Sequence, residues 1–303
     1  MEIYLPIADI PINIFSLLFI GLTGGILSGV FGIGGGFIAT PLLIFLGVTP
    51  PVAVASSANQ IIASSFSAFT SHYKKKNIDF HMGTIFIFGG LAGSSIGVWI
   101  FSYLKQYGQI DLVISLCYIV ILGFIGISMT VESFSSFIKP NSNEKSRFSK
   151  GKKAFFDKLP YKVYFKKSDL TISLLVPALT SFFSGILVSI MGIGGGFLIV
   201  PALIYIIGMP ASIVIGTSLF QVIFITANVT FLHAVTTHSV DIVLATILFS
   251  ASVVGAQLGI RIGTVVKAEK LRLLLALIIL GVVTKLVMGF VIEPANPFST
   301  TMY

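Results

Sequence analysis

Apolar stretches and short polar breaks alternate along the whole chain. Residues 12–31, 82–104 and 110–131 each read as an apolar helix of the roughly 20 residues that a bilayer crossing needs. Between the first two, residues 37–47 are apolar but too short to cross at roughly 1.5 Å per residue. Gly47 and Pro50-Pro51 then turn the chain into a predicted helix over 52–72. That helix carries Ser56, Ser57, Asn59, Gln60, Ser64, Ser65 and Ser67, which is unusually polar for a membrane. Gly21, Gly25 and Gly29, and again Gly89, Gly93 and Gly97, fall four apart, so each set lines one helix face and permits close backbone contact.

The breaks follow a second pattern. Gly32 to Phe37 reads Gly-Ile-Gly-Gly-Gly-Phe, and Gly192 to Phe197 repeats it letter for letter, each copy followed by a proline, Pro41 or Pro201. Consecutive glycines interrupt a helix because glycine loses the most backbone entropy on becoming helical. Inside a bilayer such a break is tolerated only where it is buried in protein or lines a cavity. Paired breaks at matching places in two halves point to a transporter's binding site. The correspondence extends outward, with Gly25 on Gly185, Gln60 on Gln221, His72 on His233 and Asp79 on Asp241. An internal duplication is therefore expected.

Composition narrows the class. The chain is 55% hydrophobic and 10% charged, against about 25% charged in soluble domains. The expected fold is an all-α polytopic membrane protein of two homologous halves, each a Gly-interrupted re-entrant or broken helix plus three full spans. Residues 1–138 form the first half, 139–168 a basic cytoplasmic linker, and 169–303 the second. The net charge of +8 is confined to that linker, where ten Lys/Arg meet only Glu144 and Asp157. A confined basic segment beside spans reads as cytoplasmic, so no nucleic-acid partner is expected, and the bilayer is the partner that composition implies. Glu2 and Asp9 precede the first apolar run without a basic stretch, unlike a cleaved signal peptide. Cys117 has no partner cysteine in the chain.

Basic residues also order the two halves. If the broken segment of each half crosses the membrane, the repeats are parallel. If it dips in and returns, the repeats are inverted, and 17 of the 19 basic residues then lie inside, Lys105 and Lys285 excepted. Inverted repeats are expected on that ground.

The pattern Ser/Gly-Gly, six residues, Gly-x-Gly-Gly-Gly, four residues, Pro occurs at Gly24–Pro41 and Ser184–Pro201. With the Ser56-Ser57 and Thr217-Ser218 pairs, it resembles the sulfite exporter TauE/SafE family over nearly the whole chain outside the linker. The resemblance implies a permease of the plasma membrane for sulfur-containing anions such as sulfite or sulfonates, exported from the cell.

The residues agree with an anion. Gly34, Gly35 and Gly36 precede a half-helix expected from Phe37, and Gly194, Gly195 and Gly196 precede one expected before Leu198. A helix N-terminus presents unpaired amides and partial positive charge. Ser57, Asn59, Gln60, Thr217, Ser218 and Gln221 are candidate hydrogen-bond partners. The alternative is that the glycines serve packing and the hydroxyls satisfy local carbonyls. A leucine at Gly35 or Gly195 is expected to stop transport while the protein still reaches the membrane.

All eleven Asp/Glu fall at predicted span ends or in loops, so no intramembrane acid offers a proton relay or cation site. The four histidines match no metal spacing, and no cofactor is expected. Lys285 either attracts anions or snorkels to an interface. The chain has no His-Glu-x-x-His motif, and no enzymatic role is expected. An anion channel, or a permease for another small anion, is the competing function.

Overall fold

The computed structural model describes residues 1–138, 162–165, 167–168, 170–203, 209, 211–266 and 268–291. The interior of the expected linker lies outside them. One short β-hairpin comes first in each half, where the hydrophobic pattern shows no strand. One pairs β1 (Glu2–Leu5) with β2 (Ile10–Asn13), the other β3 (Lys162–Phe165) with β4 (Leu170–Ser173). Every paired position of the second lies 160 residues after its counterpart in the first, Glu2↔Asn13 against Lys162↔Ser173. β3 thus takes four residues from the stretch assigned above to the linker.

Among the described residues ten α-helices are present: α1 (Ile14–Phe31), α2 (Gly36–Phe45), α3 (Pro50–Lys74), α4 (Phe80–Gln106) and α5 (Ile110–Ile138) after the first hairpin, then α6 (Leu175–Met191), α7 (Gly196–Ala202), α8 (Ala211–Leu232), α9 (Ile242–Val265) and α10 (Ala268–Val291) after the second. A wider π-type turn, His233–Thr237, extends α8. Five segments are long and apolar enough to cross a membrane: Ile14–Phe31, Phe80–Gln106, Ile110–Val131, Ile213–Thr237 and Ile242–Val265. Phe88 and Trp99, 76% and 70% exposed, stand on the outside of α4, a surface suited to lipid. α3 has the length at 25 residues, but its polar residues turn inward, and Ser56, Ser57, Gln60, Ser64, Ser65 and Ser67 are all buried.

The chain doubles back at each glycine break. α1 ends on Gly32 at φ 68°, whose amide donates to Ser28 O at 2.8 Å, and α6 ends on Gly192 at φ 64°, donating to Val188 O at 2.8 Å. This left-handed cap is open to glycine without steric penalty. Leu43 near the end of α2 then shares one core with Leu17 and Ile20 near the start of α1, joined by Leu5 and Ile12 of the hairpin. A second core holds the matching set, Phe165, Ile199, Leu203, Met82 and Phe86. Each broken helix therefore folds back on itself as a helical hairpin.

The halves exchange their packing partners. A Cβ on Gly21, Gly25 or Gly29 of α1 would lie 2.9, 2.3 and 2.3 Å from the carbonyl oxygens of Leu248, Ser252 and Ala256 of α9. At the matching places of α6, Ser181 donates to Phe86 O, Gly185 would meet Gly90 O at 2.4 Å, and Ser189 donates to Ser94 O at 2.9 Å, all on α4. The hairpin turns are exchanged too. Asp241 caps α9 by accepting from Leu244 N at 3.0 Å and also accepts from Ile7 N at 2.8 Å, while Asp79 caps α4 from Met82 N at 3.1 Å and accepts from Ser168 Oγ at 2.6 Å. An N-cap aspartate is worth about 1 kcal/mol, and here each cap also fastens a hairpin of the other half.

By compactness the chain forms two units, Met1–Asp111 with Asn141–Val266, and Leu112–Pro140 with Lys267–Tyr303. This groups the helices differently from the 1–138 and 169–303 division. Both hairpins, both glycine breaks and the contacts described above lie in the first unit. In the second, α5 meets α10 where a Cβ on Gly126 would lie 3.0 Å from Ile279 Cγ2.

Candidate functional site

The two glycine breaks meet face to face in the first unit. A Cβ on Gly34 would lie 2.9 Å from Gly194 Cα, and one on Gly194 would lie 2.8 Å from Gly34 Cα. Around that pair the contacts cross over: Gly36 would meet Gly192 O at 2.2 Å and Gly196 would meet Gly32 O at 2.6 Å. Gly34, at φ 73°, is in the left-handed region; its counterpart Gly194 is not. Absence of side chains is what lets the two backbones approach this closely.

Both half-helices begin one or two residues earlier than the sequence suggests, at Gly36 and Gly196. Neither N-terminus has a side-chain cap. Ala39 N donates back to Gly35 O at 3.2 Å, and Phe197 N to Gly194 O at 2.9 Å. The preceding amides carry the partial positive charge of a helix start. All six glycines of the triplets are buried.

The polar side chains divide by what holds them. Ser57 Oγ is 2.7 Å from Thr40 Oγ1 and donates to Val54 O at 3.0 Å, beside Gly192. Ser218 Oγ donates to Gly32 O at 3.1 Å, so it touches the first break directly. Thr217 Oγ1 accepts from Asp79 N at 3.0 Å, as Ser56 Oγ does from Asp241 N at 3.1 Å. That matched pair orients the starts of α4 and α9. Asn59 is half-buried, and no hydrogen bond joins it to the breaks. Gln221 Nε2 donates to Ser181 Oγ at 3.0 Å, leaving its Oε1 without a partner, and Gln60 is fully buried with neither amide atom partnered.

The glycines of the two breaks differ in the room around them. A Cβ on Gly35 would stand 2.0 Å from Gly24 O and 2.3 Å from Gly24 C. One on Gly195 would meet only side-chain atoms, Ser184 Oγ and Val188 Cγ2, at 3.3 Å. A leucine at Gly35 would therefore meet backbone, and one at Gly195 side chains.

Residues outside the sequence-derived set complete the site. Ser184 Oγ donates to Gly195 O at 3.0 Å, and Ser181 bridges Gln221 to α4. Both fall on the α6 face that carries the motif serine, a signal visible in the Ser/Gly alternation of the two motif copies. At the far end of α8, His233 is buried, its Nε2 3.1 Å from Ser189 O and its Nδ1 3.2 Å from Thr237 Oγ1. Lys105 Nζ donates to Thr237 O and Ser239 Oγ, both at 2.8 Å. Among the described residues no group of His, Cys, Asp and Glu has a metal-binding arrangement. Gly93-Ser94-Ser95-Ile96-Gly97 has the spacing of a hydrolase nucleophile motif, yet it lies inside α4, where Ser95 Oγ donates to Leu91 O at 2.8 Å. It has no strand-to-helix turn and no base at hand.

Known proteins share this arrangement's sequence. A family model described as sulfite exporter TauE/SafE matches residues 17–286. The probable membrane transporter protein YunE of Bacillus subtilis is 25% identical over 272 residues, which is 87% of this chain and 93% of that protein. A probable membrane transporter protein of Xylella fastidiosa is 31% identical over 208 residues, 67% of this chain and 66% of its own. Sulfite exporter TauE/SafE family protein 1 of Arabidopsis thaliana is 30% identical over 105 residues, 34% of this chain and 23% of that protein. No solved structure matches the chain significantly.

Proposed function

The chain belongs to the sulfite exporter TauE/SafE family, and on that premise we propose that this multi-pass membrane transporter exports a small sulfur-containing anion, bound at the glycine breaks. The observation that carries the reading is the meeting of Gly34 and Gly194, with the unpartnered carboxamide of buried Gln60 facing Gly24 beside the first break. Uncapped helix starts and carboxamides are both donors suited to an oxyanion. Of the polar candidates, Gln60, Ser57 and Ser218 stay in the proposed site, Thr217 being committed to Asp79 and the Gln221 amide to Ser181.

The halves are read as inverted repeats. Each contributes a re-entrant hairpin, which returns to the side it came from, and three further helices, an odd number of crossings. Lys105 supports the same reading. With inverted halves the ends of α4 and α8 lie on one side of the membrane, in keeping with the 2.8 Å bond from Lys105 Nζ to Thr237 O. Parallel halves would put those ends on opposite sides. The two breaks then approach the midplane from opposite faces, the arrangement that alternating access uses.

The test is flux from proteoliposomes loaded with sulfite, with sulfoacetate, or with chloride as the control. Saturable efflux with counterflow of the sulfur anions is expected. Unitary currents in a planar bilayer would make the protein a channel, and no flux of either sulfur anion would overturn the reading.

A further inference from the structure

We infer that the two glycine breaks are not equivalent: the anion is held at the first, at the start of α2, with the Gln60 carboxamide as the donor that selects it. This rests on the anion-site reading above and deepens it. Gln60 is 0% exposed, and neither Nε2 nor Oε1 has a partner. The carboxamide is aimed at the break: a Cβ on Gly24 would lie 2.1 Å from Gln60 Nε2 and 3.2 Å from Gly35 O. The missing side chain of Gly24 is thus the space in which Gln60 faces the residue that opens α2. Ser28, one turn further on the same face of α1, is also buried with its hydroxyl unpartnered.

The second half fills the same places with groups that satisfy one another. Ser184 stands where Gly24 does, and its hydroxyl donates to Gly195 O at 3.0 Å. Ser181 stands where Gly21 does and accepts from Gln221 Nε2 at 3.0 Å while donating to Phe86 O. Val188 replaces Ser28 and fills the space beside Gly195, 3.3 Å from where a Cβ would be.

The physical consequence is a division of labour. A buried carboxamide without partners is a donor waiting for an acceptor, and an oxyanion supplies one to each of its two N–H groups. The enclosed amide is reached when α1 and α3 part at Gly24, so the arrangement corresponds to a closed state. The second break keeps its donors, Ser184 Oγ and Gln221 Nε2, engaged and acts as the fixed wall.

The experiment compares Gln60→Leu and Gln60→Met with Gln221→Leu, each purified and reconstituted. KM for sulfite and sulfoacetate efflux is measured beside the thermal stabilisation that each anion gives. Losing a hydrogen bond to a charged group should raise KM about tenfold or more in both Gln60 variants. Their own Tm should hold or rise, because an unpartnered buried amide has gone, and the anion should no longer stabilise them. Gln221→Leu should lower Tm, because Ser181 loses its partner, with KM changed about twofold or less. Equal KM effects in the two halves, or a larger one at Gln221, would overturn the inference and leave the anion site standing. Wild-type protein with neither saturable flux nor stabilisation by these anions would overturn both.

Discussion

Phe37 and Phe197 stack on one another, ring centroids 5.0 Å apart and planes inclined by 23°. They hold the same place in the two motif copies, 160 residues apart. A residue that meets its own counterpart lies on the axis relating the two surfaces, as in any self-complementary interface. Gly34 and Gly194 do the same one turn earlier.

Truncating either ring should therefore loosen both breaks together. Phe37→Ala and Phe197→Ala should each cost about 3 kcal/mol, the usual loss for a buried phenylalanine. The double variant should cost less than their sum by about 0.5–1.5 kcal/mol, the coupling of an aromatic pair. Denaturant unfolding of the four proteins in detergent measures this; strict additivity would mean that the stack contributes nothing beyond burial.

Gly35→Ala and Gly195→Ala should separate sharply. The first forces a methyl to 2.0 Å from the backbone oxygen of Gly24, and backbone gives way only at large cost. The second adds contacts of 3.3 Å to two side chains. Fluorescence-detected size exclusion should show Gly35→Ala largely lost or aggregated and Gly195→Ala at near wild-type yield. Equal yields would mean that the approach of Gly24 to Gly35 is not part of the folded protein.

The proposed inversion of the halves predicts a labelling pattern. With Cys117 replaced by alanine, Thr236→Cys should react with an impermeant maleimide from outside intact cells, while Lys75→Cys should react only after lysis. Both positions are exposed, so access depends on the side of the membrane. Protection of Thr236→Cys in intact cells would mean that the halves are parallel.

Export should follow membrane potential and need no sodium gradient. Among the described residues the buried acids are Asp79 and Asp241, both spent on helix caps at the ends of spans. An inside-negative potential favours anion exit by roughly 2.3 kcal/mol per charge per 100 mV. A potassium diffusion potential should therefore speed efflux of sulfite from proteoliposomes, and replacing sodium with choline should change little. Efflux that ignores potential and tracks an imposed pH difference would point to proton coupling, with His72 and His233 the first residues to replace.

The local chain by itself determined where the helices break and what class of protein results. Glycine triplets interrupt helices wherever they occur, and 20-residue apolar runs have one common use, so Gly34–Gly36, Gly194–Gly196 and the spans are legible without contacts. The polar face of α3 is legible as well, since seven polar residues in one helix must face protein. Tertiary structure decided the rest. Strands β1 to β4 are four residues each with no clear alternation, and they persist because Leu5 and Phe165 enter the two cores and because Asp241 and Ser168–Asp79 tie down their turns. Whether a matched residue is free or engaged also lies beyond local pattern. Gln60 and Gln221 look alike in sequence, yet one faces Gly24 and the other faces Ser181, 36 and 40 residues away along the chain. Exchange of partners between halves likewise rests on contacts such as Gly25 with Ser252, where chain distance carries no periodic signal and only close packing of backbones selects the pair.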